Sequence, residues 1–117
     1  MRWELVGDAD MRNTWSRIFR ECMPDDDEPP GYHTRWLGYS GDKAVAVLSA
    51  AILLPAEPCV YLSIIAVCES ARGKRIQRRA IRHVERWALE HDCLAVISYN
   101  LTRDDRHRVD PGADHDR

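Results

Sequence analysis

The sequence predicts an α/β domain in which a mixed central sheet is flanked by helices, and three observations lead to this prediction. Two stretches, one after Asp8 and one from Ile76, repeat apolar residues at three- and four-residue steps, as amphipathic helices do. Five other stretches are short and apolar, which is typical of strands. Together these elements follow the order β-α-β-β-β-α-β, which favours a sheet covered by helices.

Composition bounds the size and class of the protein. The chain has 117 residues, of which 44% are hydrophobic, so we expect one folded domain with a real core. Its 17 Lys and Arg residues against 19 Asp and Glu residues give a net charge of −2, so any site for an anion must be local. No apolar segment is long enough to predict a signal peptide or a membrane span. A cytoplasmic location is expected.

The cysteines and histidines do not predict a metal site. The four cysteines have no metal-like spacing and no C-x-x-C pair, and the five histidines are scattered. We interpret the cysteines as small buried apolar residues of a protein in a reducing compartment. A Cys68–His acyl-enzyme has little support, because no histidine lies beside Cys68 in the sequence.

The first helix follows a short strand over residues 3–6. Asp8 or Asp10 is placed to cap the helix, and Pro24 to end it. The predicted buried face of this helix consists of Met11, Trp15, Ile18, Phe19 and Cys22. The loop that follows, residues 23–31, is acidic and rich in turn formers. Its charge would favour a cationic partner, but a plainly solvated loop explains it as well.

Three further strands are predicted before the second helix. Residues 34–39 and 44–54 flank a Ser-Gly-Asp-Lys turn and form a plausible antiparallel hairpin. Residues 59–67, CVYLSIIAV, are almost continuously apolar, as expected for a central strand covered on both faces. The fifth strand is predicted over residues 93–99, after the second helix. From residue 101 to 117 the chain is polar and aperiodic, so the domain is expected to span residues 1–100 and to be followed by a polar tail.

The second helix has its charges at an unexpected end. A helix N-terminus carries a partial positive charge and unpaired N–H groups, so acidic residues are its usual neighbours. Here the first turns and the preceding loop are instead basic, with Arg72, Lys74, Arg75, Arg78 and Arg79. A phosphate or pyrophosphate would pair with both the amides and the cations. A solvated surface and a nucleic-acid-binding helix are the alternatives, although the net acidic chain argues against the second.

The stretch IIAVCESARGKRIQRRAI resembles the cofactor-binding region of the GCN5-related N-acetyltransferase (GNAT) family. In that family a strand leads into an Arg/Gln-x-x-Gly-x-Gly/Ala loop, and this loop opens a helix that holds the acetyl-CoA pyrophosphate. In this chain Arg75 and Gln77 occupy the two glycine positions. The resemblance covers residues 3–99 and implies a GNAT-like fold whose last strands are missing or altered.

The resemblance also implies a co-substrate, acetyl-CoA, and a set of binding residues. The residues that it places at the cofactor are Ile65, Ala66, Val67, Arg72, Gly73, Lys74, Arg75, Ile76 and Gln77. The family often takes a general base from the fourth strand or its neighbours, but that strand contains no acidic residue. Glu57, Glu69 and Tyr61 are therefore only weak catalytic candidates.

The predicted function is N-acetyl transfer from acetyl-CoA to a primary amine of a small molecule or protein. The alternative is a non-catalytic remnant or interaction module that keeps the GNAT fold and CoA binding. The expected absence of strands after residue 100 leaves the outer edge of the strand over residues 93–99 unpaired. Homodimerisation through that edge is therefore a further expectation.

Overall fold

The computed structural model describes residues 1–53, 58–73, 75–99 and 104–108, of which residues 98, 99 and 104–108 are described by their backbone. In chain order the described elements are β1 Arg2–Leu5, α1 Ala9–Cys22, β2 Thr34–Ser40, β3 Lys43–Leu53, β4 Cys59–Val67, a 3-10 turn Glu69–Ala71, α2 Ile76–Glu90, β5 Ala95–Tyr99 and β6 Asp104–Arg108. The two helices and the first five strands are thus those predicted from the sequence. No helix in this described part of the chain is long and apolar enough to cross a membrane.

All six strands form one mixed sheet in the order β1-β2-β3-β4-β5-β6. Neighbouring strands are antiparallel except for β4 and β5, which run parallel and are connected through α2. This parallel pair agrees with the predicted mixed sheet, because two strands joined by a helix usually return to the sheet in the same direction. The α/β fold class is therefore confirmed.

The prediction that no strand forms after residue 100 is wrong. β6 pairs antiparallel with β5, from Tyr99 opposite Asp104 to Ala95 opposite Arg108. The polar composition of this segment pointed to a solvated tail, but an antiparallel strand at a sheet edge needs only backbone hydrogen bonds on one side and tolerates charged side chains. The outer edge of β5 is consequently paired within the chain. Residue 100 as a domain boundary stays a prediction.

The two helices cover opposite faces of the sheet. On one face, α1 contributes Trp15, Ile18 and Phe19 to a core cluster that includes Leu37 of β2. On the other face, α2 packs against a cluster that includes Trp36 of the same strand. Adjacent residues of β2 thus point to opposite faces, as the two-residue period of a strand requires. Both faces of the central strands are buried, which explains the continuous apolar sequence of β4.

Local contacts explain where α1 begins and how it attaches. The Asp8 carboxylate accepts a hydrogen bond from the Met11 backbone N–H at 2.8 Å, so Asp8 is the cap. Trp15, which is fully buried, donates its indole N–H to the Leu48 carbonyl of β3 at 3.2 Å. This bond fixes α1 to the middle of the sheet, close to the point where β3 and β4 lose their regular register.

Candidate active site

A cavity of about 650 Å³ lies where the C-terminal end of β4 meets the start of α2. The end of α1 forms its other wall. Its lining residues are Cys22, Met23, Ile65, Ala66, Val67, Ala71, Arg72, Gly73, Arg75, Ile76 and Gln77. The cavity is thus bounded by strand backbone on one side and by a basic helix start on another.

The cavity exists because β4 is longer than its parallel partner. Pairing between β4 and β5 covers only Val60 to Leu62, opposite Val96 to Ser98. β4 continues to Val67, and its residues 65–67 border the cavity instead of a β5 ladder. Backbone N–H and C=O groups on that side of β4 can therefore bind an extended ligand as a neighbouring strand would. The cleft thus lies beside the loop that contains Arg72.

A β-bulge lies in β4 just beyond the last parallel pair. Ser49 of β3 pairs with Ile64, but the next β3 residue, Ala50, pairs with Leu62, so Ser63 has no partner in the β3 register. A bulge of this kind bends the strand and redirects the side chains next to it. The end of the β4–β5 ladder and the bulge therefore coincide at Ser63.

The start of α2 is left without a side-chain cap. Arg75 occupies the cap position in a left-handed conformation with φ 58°, and Gly73 has φ 85°. The first N–H to reach an intrahelical carbonyl by the i→i−4 pattern is that of Arg79, which donates to Arg75 at 3.1 Å. Among the described residues, the preceding N–H groups at the cavity-lining start of the helix have no such acceptor, so they are donors for an anion.

The arginines around this helix start are exposed. Arg72, Arg75, Arg78 and Arg79 are all exposed, and within the described residues no carboxylate forms an ion pair with any of them. Arg72 donates from Nε to the Val67 carbonyl at 3.1 Å, which ties the loop to the end of β4. The helix dipole and the arginines together make this side of the cavity electropositive.

Eight of the nine residues predicted at the cofactor line this one cavity, and the ninth, Lys74, lies outside the described residues. The sequence did not indicate that Cys22, Met23 and Ala71 would join them. Cys22 was assigned only to the apolar face of α1. Nothing in the local sequence indicates which other element the C-terminal end of α1 will contact.

The thiol of Cys22 is weakly reactive. Burial, reinforced by neighbouring Cys68, raises the pKa of the Cys22 thiol. Both thiols are free, and a raised pKa keeps Cys22 protonated and weakly nucleophilic.

A chain of three polar side chains lies at the bulge, on His33, Ser63 and Ser49. The Nδ1 atom of His33 is 2.9 Å from the Ser63 hydroxyl, which is 2.7 Å from the Ser49 hydroxyl. Ser49 is fully buried, His33 is 8% exposed and Ser63 is half-buried. The three residues come from a loop and two strands, so their spacing in the sequence carries no sign of the cluster.

Aromatic rings and one arginine surround His33. Tyr32 and Tyr61 meet its ring edge-on, with centroids 4.7 and 6.2 Å away. Burial, and then the charge of Arg35, lower the pKa of His33 below its usual value. The imidazole is therefore neutral at pH 7, which leaves one ring nitrogen able to accept a proton.

Arg35 is itself buried and explains how the acidic loop is held. Its guanidinium lies over the Trp15 ring at 4.8 Å, donates to the Pro29 carbonyl at 2.9 Å and is 3.7 Å from the Glu28 carboxylate. Glu28 also accepts from the Ser16 hydroxyl at 2.9 Å. Glu28 is thus an anchor of the loop on α1, whereas the three aspartates before it are exposed.

The two weak catalytic candidates that the structure describes, Glu69 and Tyr61, lie towards opposite ends of β4. Glu57 lies outside the described residues, and Glu69 is exposed at the start of the 3-10 turn. Tyr61 is half-buried on β4 beside His33. Among the described residues, no group of three His, Cys, Asp or Glu side chains is arranged to hold a metal ion.

Comparison with known proteins identifies the family. A model of the acetyltransferase (GNAT) family matches residues 5–109, which is most of the chain and includes β6. The chain therefore belongs to the GNAT family of acetyltransferases. No curated protein sequence matches it significantly.

Solved structures of GNAT enzymes share the fold at low sequence identity. The apo aminoglycoside antibiotic 6'-N-acetyltransferase AAC(6')-IG from Acinetobacter haemolyticus is 22% identical, with a TM-score of 0.71 over 87% of this chain and 81% of that one. An aminoglycoside acetyltransferase from an uncultured soil metagenomic sample, in complex with sisomicin, is 16% identical, with a TM-score of 0.72 over 86% and 78%. AAC(6')-Iy, in complex with the bisubstrate analogue CoA-S-monomethyl-acetylneamine, is 15% identical, with a TM-score of 0.70 over 88% and 82%. These similarities establish the shared fold.

Proposed function

We propose that the protein transfers an acetyl group from acetyl-CoA to a primary amine, with acetyl-CoA bound in the cavity between β4 and α2. The observation that carries this proposal is that strand backbone, uncapped helix N–H groups and two arginines without an ion pair among the described residues border the same cavity. These groups match two parts of the co-substrate. The backbone of residues 65–67 suits the amide-containing pantetheine arm, and the helix start with Arg72 and Arg75 suits the pyrophosphate.

The reaction needs few specialised groups once the co-substrate is bound. Acetyl transfer requires a deprotonated amine close to the thioester carbon and donors that stabilise the developing oxyanion. The unpaired stretch of β4 supplies backbone N–H groups on the cavity side for this purpose. The structural neighbour AAC(6')-Iy was crystallised with a CoA bisubstrate analogue, which supports CoA binding by this fold.

We further propose that the acceptor is a cationic amine, such as a polyamine, an aminoglycoside or a lysine side chain. Met23 lines the cavity, and the exposed residues Asp25, Asp26 and Asp27 follow it after one proline. Negative charge at the rim raises the local concentration of a cationic acceptor. Two of the structural neighbours named above are aminoglycoside acetyltransferases by name, which makes aminoglycosides a reasonable first class to test.

The alternative of a non-catalytic remnant is less favoured. It was suggested by an expected lack of strands after β5, but β6 extends the sheet there and the family match runs to residue 109. The same strand removes the basis for homodimerisation through the β5 edge, since that edge is occupied. A cytoplasmic location is an inference from the free cysteines, which are typical of reducing compartments.

Calorimetric titration combined with an acetylation assay tests the proposed function. We expect acetyl-CoA and desulfo-CoA to bind with similar affinity, because the pyrophosphate and pantetheine arm make most of the contacts. We expect CoA release from acetyl-CoA only when an amine is added, and faster release with polyamines or aminoglycosides than with neutral amines of the same size. Binding of both cofactors without acetyl transfer to any amine would support the non-catalytic alternative. Absence of binding would overturn the proposal.

A further inference from the structure

We propose that His33, acting through the Ser63 hydroxyl, accepts the proton that the amine loses during acetyl transfer. This inference rests on the proposed function and concerns the same site. It is carried by the hydrogen-bonded chain Ser49–Ser63–His33, whose two links measure 2.7 and 2.9 Å.

The burial of Ser49 sets the direction of this chain. Its hydroxyl is 0% exposed, and among the described contacts the Ser63 oxygen is its acceptor. If Ser49 donates to Ser63, the Ser63 hydrogen is free to point at Nδ1 of His33. In the opposite direction the Ser49 hydrogen would be buried without an acceptor, which is costly. The hydrogen-bonded chain therefore ends at Nδ1 of His33, whose neutral imidazole carries its hydrogen on Nε2.

Ser63 is the member of the hydrogen-bonded chain whose distance from the cavity can be judged from its position on β4. Ser63 is the bulged residue of β4 and directly follows Leu62, where the β4–β5 ladder ends. Ile65, two residues further along, lines the cavity, so Ser63 lies about 7 Å from it along the strand. Ser63 is only half-buried, so part of this residue is accessible from outside the core.

The proposed step forms a carbon–nitrogen bond, breaks a carbon–sulfur bond and moves one proton from the amine to His33. The amine nitrogen bonds to the thioester carbonyl carbon, the carbon–sulfur bond breaks, and its electron pair leaves on the CoA sulfur. The proton lost by the nitrogen passes to Ser63 Oγ while the Ser63 proton passes to His33 Nδ1. The CoA thiolate takes a proton from water, and His33 later returns one to water. The sum is amine and acetyl-CoA giving amide and CoA thiol.

The surroundings of His33 determine the expected pH dependence. Tyr32 and Tyr61 face its ring, the charge of Arg35 acts on it, and Glu28 forms an ion pair with Arg35 at 3.7 Å. Burial and Arg35 favour the neutral ring, so protonation should occur below pH 6.5. Activity should therefore rise with pH along a limb below pH 6.5, and a limb from the amine itself should lie at higher pH.

The test compares His33→Gln and Ser63→Ala with the wild-type chain in kcat and kcat/KM across pH 5 to 9. Glutamine keeps a hydrogen-bonding side chain but cannot take the proton. We expect both variants to lose about 100-fold in kcat, the order of magnitude of one general base. His33→Gln should also lose the acidic limb, while acetyl-CoA binding stays as in the wild type. The control is His91→Gln, an exposed histidine at the end of α2, which should keep the wild-type rate and profile.

The outcomes separate this inference from the proposed function. A merely structural role for His33 would lower the rate but leave the acidic limb in place, and that result would overturn the inference. Wild-type rates in both variants would overturn it as well. If the wild-type chain binds no acetyl-CoA, the proposed function fails and this inference fails with it. Thermal unfolding of each variant, measured in parallel, identifies any loss of rate that comes from misfolding.

Discussion

Replacing Trp15 by alanine is expected to lower the free energy of unfolding by about 3–5 kcal/mol, the range for removing a large buried aromatic side chain. Trp15 is fully buried, stacks on Phe19 with centroids 5.5 Å apart and donates to the Leu48 carbonyl. It also underlies the guanidinium of Arg35, which is only 5% exposed and would face a cavity without the ring. Because domains of this size are stable by about 5–15 kcal/mol, the loss is a large share of the total. Urea unfolding measures it.

Two variants serve as controls for this effect. Trp15→Phe keeps most of the ring volume and removes the indole donor, so it should cost on the order of 1 kcal/mol. Trp87→Ala removes a half-buried tryptophan of α2 and should cost less than Trp15→Ala. Equal losses for Trp15→Ala and Trp87→Ala would show that the contact between α1 and the sheet is not the main support of this side of the fold.

Replacing Arg72 by alanine is expected to weaken acetyl-CoA binding by roughly 10- to 100-fold. Loss of one charge-assisted hydrogen bond to phosphate costs about 1.5–3 kcal/mol. Arg72 also donates to the Val67 carbonyl, so the variant loosens the loop at the end of β4. Calorimetric titration at low and high salt measures both the loss and its electrostatic origin, because the difference between wild type and variant should shrink as salt rises.

Arg86→Ala is the matched control for Arg72→Ala. Arg86 is also exposed, but it lies ten residues after Ile76 on α2, about 15 Å along the helix from the cavity. Its removal changes the net charge equally and should leave affinity within about twofold. Equal affinities of the two variants for acetyl-CoA would contradict phosphate binding at the helix start.

The sequence was sufficient to predict most of the fold because its signals are local. β4 was predicted at its observed bounds, since an apolar run between turn residues has few other interpretations. The cap of α1 was predicted as Asp8 or Asp10, because both stand at the start of a periodic stretch, and the structure shows that it is Asp8. β6 could not be predicted, because its charged sequence carries no apolar alternation. Its pairing depends on the edge that β5 presents, which is a property of the sheet and not of the segment.

Part of the candidate site could also be predicted from the sequence, and part could not. The cavity residues from Ile65 to Gln77 are close in sequence and share one strand–loop–helix signal, so a single pattern predicted them. The chain of His33, Ser49 and Ser63 is assembled across two strands and a loop by a register shift. No spacing rule predicts a β-bulge, so the histidine could only be found once the strands were paired.

Binding of acetyl-CoA at the end of β4 is the central claim, and backbone amide chemical shifts measured by NMR during a titration test it most directly. We expect the largest changes at the amides of Ile65, Ala66, Val67 and Gln77, which border the cavity. The amides of His91 and Asp92, after the far end of α2, should stay within the noise. Shifts confined to the far end of α2, or none with acetyl-CoA at millimolar concentration, would contradict the account.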